Sequence, residues 1–280
     1  MSHLPVLQSV RAAFEFRRLH WREVGGALAF AAVGAMVAVS GALSGDQRLA
    51  GVGQMANGIG SCMAYVGLMR LAFADEHRGD QEFVTGQSGF QWGKPEWRFL
   101  GANLVVAFVL ILELCAAFLI GVLICVVTGL PAKISATATP QEMAQALGPG
   151  GAAAMALLMI GLFASLLYTY VRLSLAPAAT LSRGKVEVFS TWKLTAGQAP
   201  RMFAATLLSL WPTFAEMALR GVLFSILGGK GAAGGAVHLA MPQSLIVGAV
   251  SGGILAFVQL PVSVGLVAYL YRGLRPAGER

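Results

Sequence analysis

The sequence predicts an all-α, polytopic membrane protein: six transmembrane helices as three hairpins, with interfacial amphipathic helices on the cytoplasmic side. Three observations carry this. Only 12% of the 280 residues are charged and 56% are hydrophobic, whereas a soluble domain is about 25% charged. Apolar runs of about 20 residues, the length that crosses a bilayer, recur along the chain. The basic residues fall between those runs, mostly between alternate pairs, as they do where charge sets topology.

Residues 1–23 precede the first run. Leu7, Val10, Phe14, Arg18 and Trp21 recur at helical spacing among Arg11, Arg17 and Arg22. This predicts a cytoplasmic amphipathic helix lying in the interface, with Trp21 as an aromatic anchor. The run that follows is long enough to span, so it is expected to be a retained anchor and not a cleaved signal.

Residues 24–271 form the six-helix domain. The first span covers 24–43, with Gly34, Ala38 and Ala42 as a small-residue face. The second, 52–73, carries Gln54, Asn57, Ser61 and Tyr65 on one face, which is expected to turn inward because lipid offers polar groups no partners. A charged segment over 75–98 leads to the third span, 99–128, which exceeds the crossing length and is expected to tilt or protrude. In the outer loop over 131–149, PQEMAQALG predicts a short helix, with proline in its first turn and glycine at its end. The fourth span covers 151–171.

Residues 172–203 then form the longest polar reach between two spans. They hold five basic residues, an amphipathic piece with Phe189 and Trp192, a helix-stop glycine (Gly197) and a helix-start proline (Pro200). The fifth span covers 200–227. GGKGAAGGAVH is read as an outer loop. The sixth span, 244–271, has a GxxxG at Gly248 and Gly252, and Pro261 should kink it and free a backbone carbonyl. A basic tail occupies 272–280.

Placing the N-terminus inside leaves Arg48, Lys133 and Lys230 in outer loops and Arg220 within a span; the other sixteen of the twenty lysines and arginines lie inside. That asymmetry predicts that both termini are cytoplasmic. Each hairpin is then preceded by a basic-aromatic segment: FEFRRLHWRE, GFQWGKPEWRF and STWKLTAGQAPRMF. Trp21, Trp97, Arg98, Arg172, Lys185, Trp192, Lys193 and Arg201 are the candidate lipid-headgroup collar. Anchoring and topology alone account for the same residues.

The candidate intramembrane polar site is Glu113, Glu216, Arg220, Thr213, Gln54, Asn57, Ser61 and Gln259. Thr206, Ser209, Thr213, Glu216 and Arg220 share one face of the fifth span. Glu216 and Arg220 stand four apart in the order that favours a helical ion pair. Glu113 lies 113 − 99 = 14 residues into the third span and Glu216 lies 216 − 202 = 14 beyond Met202. Both spans run outward, so the acids are expected at similar depth, with Arg220 about 6 Å further out. Such a triad serves either a proton- or substrate-coupling site or a structural tie between helices.

No catalytic residue, metal ligand set or cofactor motif is predicted. His3, His20, His77 and His238 are scattered, and no G-x-S-x-G, Walker A or Cys–His spacing occurs. Cys62, Cys115 and Cys125 all fall within spans and read as packing residues. Nucleic acid is excluded as a partner by the interleaving of basic residues with spans. Membrane lipids, a protein partner, or a homodimer through Gly248 and Gly252 are the partners expected.

An arginine closing a span, then SLAPA, a segment ending TWKLTAG, and PRMF opening the next span resembles a motif of six-helix bacterial inner-membrane proteins. It is similar also to the membrane domain attached to some glycerophosphodiester phosphodiesterases. The soluble phosphodiesterase barrel is absent, so that activity is not carried over, and the resemblance implies a bacterial inner membrane. The function expected is therefore non-enzymatic, in envelope organisation or in binding lipid or protein; the alternative is a small-solute or lipid transporter using the Glu/Arg site.

Overall fold

The computed structural model describes residues 5–77, 83–128, 140–227 and 239–275, and those residues form helices and turns with no strand. In chain order the α-helices are α1 (Val6–His20), α2 (Gly25–Ser44), α3 (Gln47–Phe73), α4 (Lys94–Val127), α5 (Pro140–Leu173), α6 (Ala176–Arg183), α7 (Ser190–Leu194), α8 (Ala199–Ser209), α9 (Trp211–Ile226), α10 (Met241–Ile254) and α11 (Leu260–Leu274). A π-helical turn, Leu255–Gln259, joins α10 to α11. Among the described residues, five helical stretches are long and apolar enough to cross a membrane: Gly25–Ser44, Gln87–Val127, Gln145–Arg183, Ala199–Ile226 and Met241–Leu274. The predicted second span is a single 27-residue helix, α3, but it is not among the five. Its glycines, its polar stripe and Arg70 dilute its apolar character.

The chain divides into two compact units, one of Met1–Ala102 with Leu175–Arg280, the other of Asn103–Ser174. The first unit is built on a close pair, α2 against α3. Gly45, with φ of 79°, ends α2, and the Asp46 carboxylate caps α3 by accepting from the Arg48 and Leu49 amides at 3.0 Å. Ala31 meets Gly60, Gly34 meets Asn57, Ala38 meets Gly53 and Gly41 meets Ala50. Each step forward on α2 is a step back on α3, so the helices are antiparallel. A Cβ at Gly34, Gly41 or Gly53 would collide with the facing backbone.

This corrects the predicted small-residue face. Gly34 and Ala38 lie on it, but Ala42 is exposed. A strict four-residue step drifts off the contact line, while alternating steps of three and four follow it. The predicted GxxxG is also accounted for within the chain. Gly248 lies against Met36 and Ser40, and Gly252 against Ala32, so α10 is antiparallel to α2. The Ser40 hydroxyl donates to the Ser244 carbonyl at 3.1 Å in the same register.

The first unit has two tiers. In one, α2 packs on α3 and α10, and α9 packs on α10 and the π turn. In the other, α11 packs on α1, α3, α6 and α8. Continuing the α2–α10 register, α11 begins where α2 begins and extends beyond it. The buried residues of α11 (Pro261, Val262, Val264, Gly265, Leu266, Ala268, Leu270, Tyr271) lie on several of its faces. The predicted sixth span is therefore a longer helix with two different environments, and α1 is a packed member of the second tier.

Pro261 does mark an irregularity. It cannot donate to the Phe257 carbonyl four residues back, and the helix widens to a π turn there. Arg17 Nε donates to that carbonyl at 2.9 Å from α1. The fifth span is broken into α8 and α9, with Pro212 in the first turn of α9, a signal the apolar run conceals. In the second unit, α5 is interrupted at Gly148 (φ 69°) before Pro149, so PQEMAQAL forms the short helix predicted. The outer loop GGKGAAGGAVH and the tail beyond Arg275 lie outside the described residues.

Candidate functional site

The two acids of the predicted triad belong to different helix pairs. Glu113 on α4 accepts hydrogen bonds from α5: Thr169 donates to Oε1 at 2.5 Å and Ser165 to Oε2 at 3.4 Å. Glu216 on α9 is buried and accepts from the Ser251 hydroxyl of α10 at 2.5 Å. Arg220 is exposed and forms no ion pair with Glu216. The four-residue spacing allowed that pair, but Ser251 supplies the carboxylate with a partner that needs no long side chain. Thr213 is half-buried in the first turn of α9, one turn before Glu216.

The α3 stripe is only partly turned inward. Gln54 is exposed, while Ser61 donates to Asn57 Oδ1 at 3.3 Å and both are half-buried. Tyr65 meets Phe99 in a tilted ring contact with centroids 4.7 Å apart. Gln259, in the π turn, donates from Nε2 to Ser263 at 3.0 Å, and its Oε1 is buried with no partner among the described residues.

The strongest polar constellation was not anticipated from sequence. Arg70, near the end of α3, and Glu96, in the first turn of α4, form an ion pair at 2.8 Å with side chains 3% and 0% exposed. Arg70 Nη1 donates to Gln91 Oε1 at 2.6 Å, and Gln91 Oε1 also accepts from the Gly86 amide at 2.8 Å. Glu96 Oε2 accepts from the Gly93 amide at 2.8 Å. Glu96 thus stands three residues inside α4 and reaches back to the capping residue. The run Gly-Lys-Pro-Glu carries this signal, as does an arginine inside the apolar run MRLAF.

The collar residues divide. Trp97 is exposed and meets Trp92 edge-on at 5.6 Å. Trp21 is half-buried, edge-on to Phe257 at 6.1 Å, with the Arg22 guanidinium 5.5 Å from its ring centroid. Lys193 is exposed, and Trp192, Arg98 and Arg201 are half-buried. Arg172 is buried and donates to the Tyr168 hydroxyl at 3.2 Å, so it is not a surface headgroup ligand. Its position at a span end suggested the interface, but the structure buries it, although the Tyr168 ring beside it is exposed.

Lys185 is exposed and pairs with Glu187 at 2.9 Å. Burial alone would raise the Glu187 pKa, but hydrogen bonds from Lys185, Arg183 and Ser190 outweigh it and hold the carboxyl below its ordinary value. The Glu187 amide donates to Thr180 Oγ1 at 3.1 Å, closing the turn between α6 and α7. Val186 and Phe189 on either side are exposed apolar residues. Gly197, with φ of 74°, lies in the turn after α7, which already ends at Leu194, and Pro200 stands in the first turn of α8 as predicted.

Cys62 is buried and Cys125 half-buried, but Cys115 is exposed, so packing within this chain does not explain it. Among the described residues no group of three or more histidines, cysteines or carboxylates could hold a metal ion. Comparison with models of known protein families, with curated proteins and with solved structures finds no match for this chain.

Proposed function

We propose that the protein is a non-enzymatic, multi-pass protein of a bacterial inner membrane, with six spans in three hairpins and both termini cytoplasmic. Its second tier is an interfacial platform that binds anionic lipid and, through it or beside it, a protein partner. The single observation that carries this reading is the gathering of the three basic-aromatic segments in one unit. The segments α1, residues 83–98 and α7–α8 all lie in the first unit.

Counting α3, the predicted second span, as a sixth crossing helix beside the five apolar stretches is supported by the α2–α3 pair. If α2 crosses, α3 runs back beside it over matched length, and 20 residues of α2 cover about 30 Å. The surface of the platform mixes apolar and basic groups in the pattern of interfacial binding: Val186, Phe189, Phe203 and Trp97 stand exposed with Arg18, Lys185 and Lys193. Transport through a Glu/Arg site has less support, because Glu113 and Glu216 take separate hydroxyl partners.

Labelling of single cysteines with an impermeant maleimide tests the topology. Gln47→Cys and Gln145→Cys should react in intact cells, and Gln87→Cys and Val186→Cys only after permeabilisation. Reaction of Gln47→Cys and Val186→Cys from the same side would sink the six-span arrangement.

A further inference from the structure

We propose that the α4–α5 hairpin is a binding site for a lipophilic organic cation, an amine or onium ion carrying aromatic or alkyl groups. The proposal is independent of the lipid platform, which belongs to the other unit. Between α4 and α5 lies an open apolar groove of about 580 Å³, lined by residues including Ala117, Phe118, Gly121, Leu158, Met159 and Leu162. Helical spacing sets Glu113 one turn below Ala117 on α4 and Ser165 one turn beyond Leu162 on α5. The carboxylate therefore stands at the end of the groove.

Each Glu113 oxygen lies within hydrogen-bond distance of one hydroxyl, from Thr169 and from Ser165, and Thr169 is 4% exposed. No described cation pairs with it: Arg172, one turn further along α5 from Thr169, is engaged with Tyr168. A charge at this depth in an apolar hairpin is costly when uncompensated. A ligand with a positive centre would compensate it while its apolar groups fill the groove. An acyl chain would fill the groove equally well but leave the charge unanswered.

The test uses the full-length purified protein in a non-ionic detergent and radiolabelled tetraphenylphosphonium in equilibrium dialysis. Saturable binding near one per chain is expected, with uncharged triphenylmethanol at least tenfold poorer as a competitor. Glu113→Gln should weaken binding at least tenfold, and Glu113→Asp should retain most of it. Gly121→Leu should also block binding, since a Cβ there already meets Leu158 at 3.5 Å and a larger side chain enters the groove. Glu15→Gln, at an exposed position of α1 in the other unit, should leave binding unchanged. Absence of saturable binding in the folded wild type, equal binding by Glu113→Gln, or equal competition by triphenylmethanol would overturn the proposal. Should Glu113→Gln fail to fold, the Asp and Gly121 variants and the competition decide.

Discussion

Arg70 and Glu96 show how a residue's worth depends on what its loss leaves behind. Both side chains are almost fully buried, so removing one strands the other's charge away from water. Glu96→Gln or Arg70→Met should destabilise the protein by about 3–5 kcal/mol, while the double replacement Arg70→Met/Glu96→Leu should recover part of that loss. Thermal unfolding in detergent gives the measurement, and equal stability of single and double variants would refute the coupling. Glu187 makes a different, pH-dependent contribution. Its pKa is lower in the folded state, so its stabilisation is present above the ordinary carboxylate value of about 4.3 and is lost as pH falls through the folded value. Glu187→Gln should therefore flatten the acid limb of the stability profile and leave stability near pH 2 unchanged. Among the residues proposed from sequence, Glu113 and Glu216 were legible because an acid in an apolar run needs a partner. Which partner was not legible, since serine and threonine hydroxyls are too common in spans to single out Ser251 or Thr169.

The helices themselves were largely readable, because apolar length and punctuation act locally. Gly148 interrupts α5 and Pro200 opens α8 where their backbone preferences require, while α7 ends at Leu194, before the predicted stop at Gly197. The break at Pro212 was not legible, because Pro212 sits inside an apolar run and hydropathy continues across the break. The α2–α3 contact makes an element-scale prediction. Gly53→Leu, where even a Cβ would meet the Ala38 backbone, should cost several kcal/mol, as overpacking does at its severe end. Gly51→Leu, where nothing lies within 4 Å, should be tolerated. Their melting temperatures separate the two outcomes; equal effects would show that α2 and α3 are not in close contact.

At the scale of the molecule, the chain's excess of positive charge and the gathering of its basic-aromatic segments go together. Charge on an anionic leaflet is worth about 1 kcal/mol per lysine or arginine near the surface. Vesicles rich in phosphatidylglycerol should therefore raise the unfolding temperature relative to phosphatidylcholine, and the difference should shrink with salt and in a Lys185→Glu/Lys193→Glu variant. An unchanged difference in that variant would remove these two residues from the platform. The three basic-aromatic segments were visible in sequence, but their packing was not, because α1 and α11, which pack together, lie far apart along the chain.

That last contact bears on the order in which the protein is made. Arg17 and Phe257 are 240 residues apart. During synthesis α1 emerges before α11, and its partner carbonyl exists only once those further residues have been translated. Until then Ala13, wholly buried in the finished protein, lacks its contact with Gly265. Helix α1 is thus held in waiting for α11 and for the π turn before it, which supplies the carbonyl that Arg17 reaches.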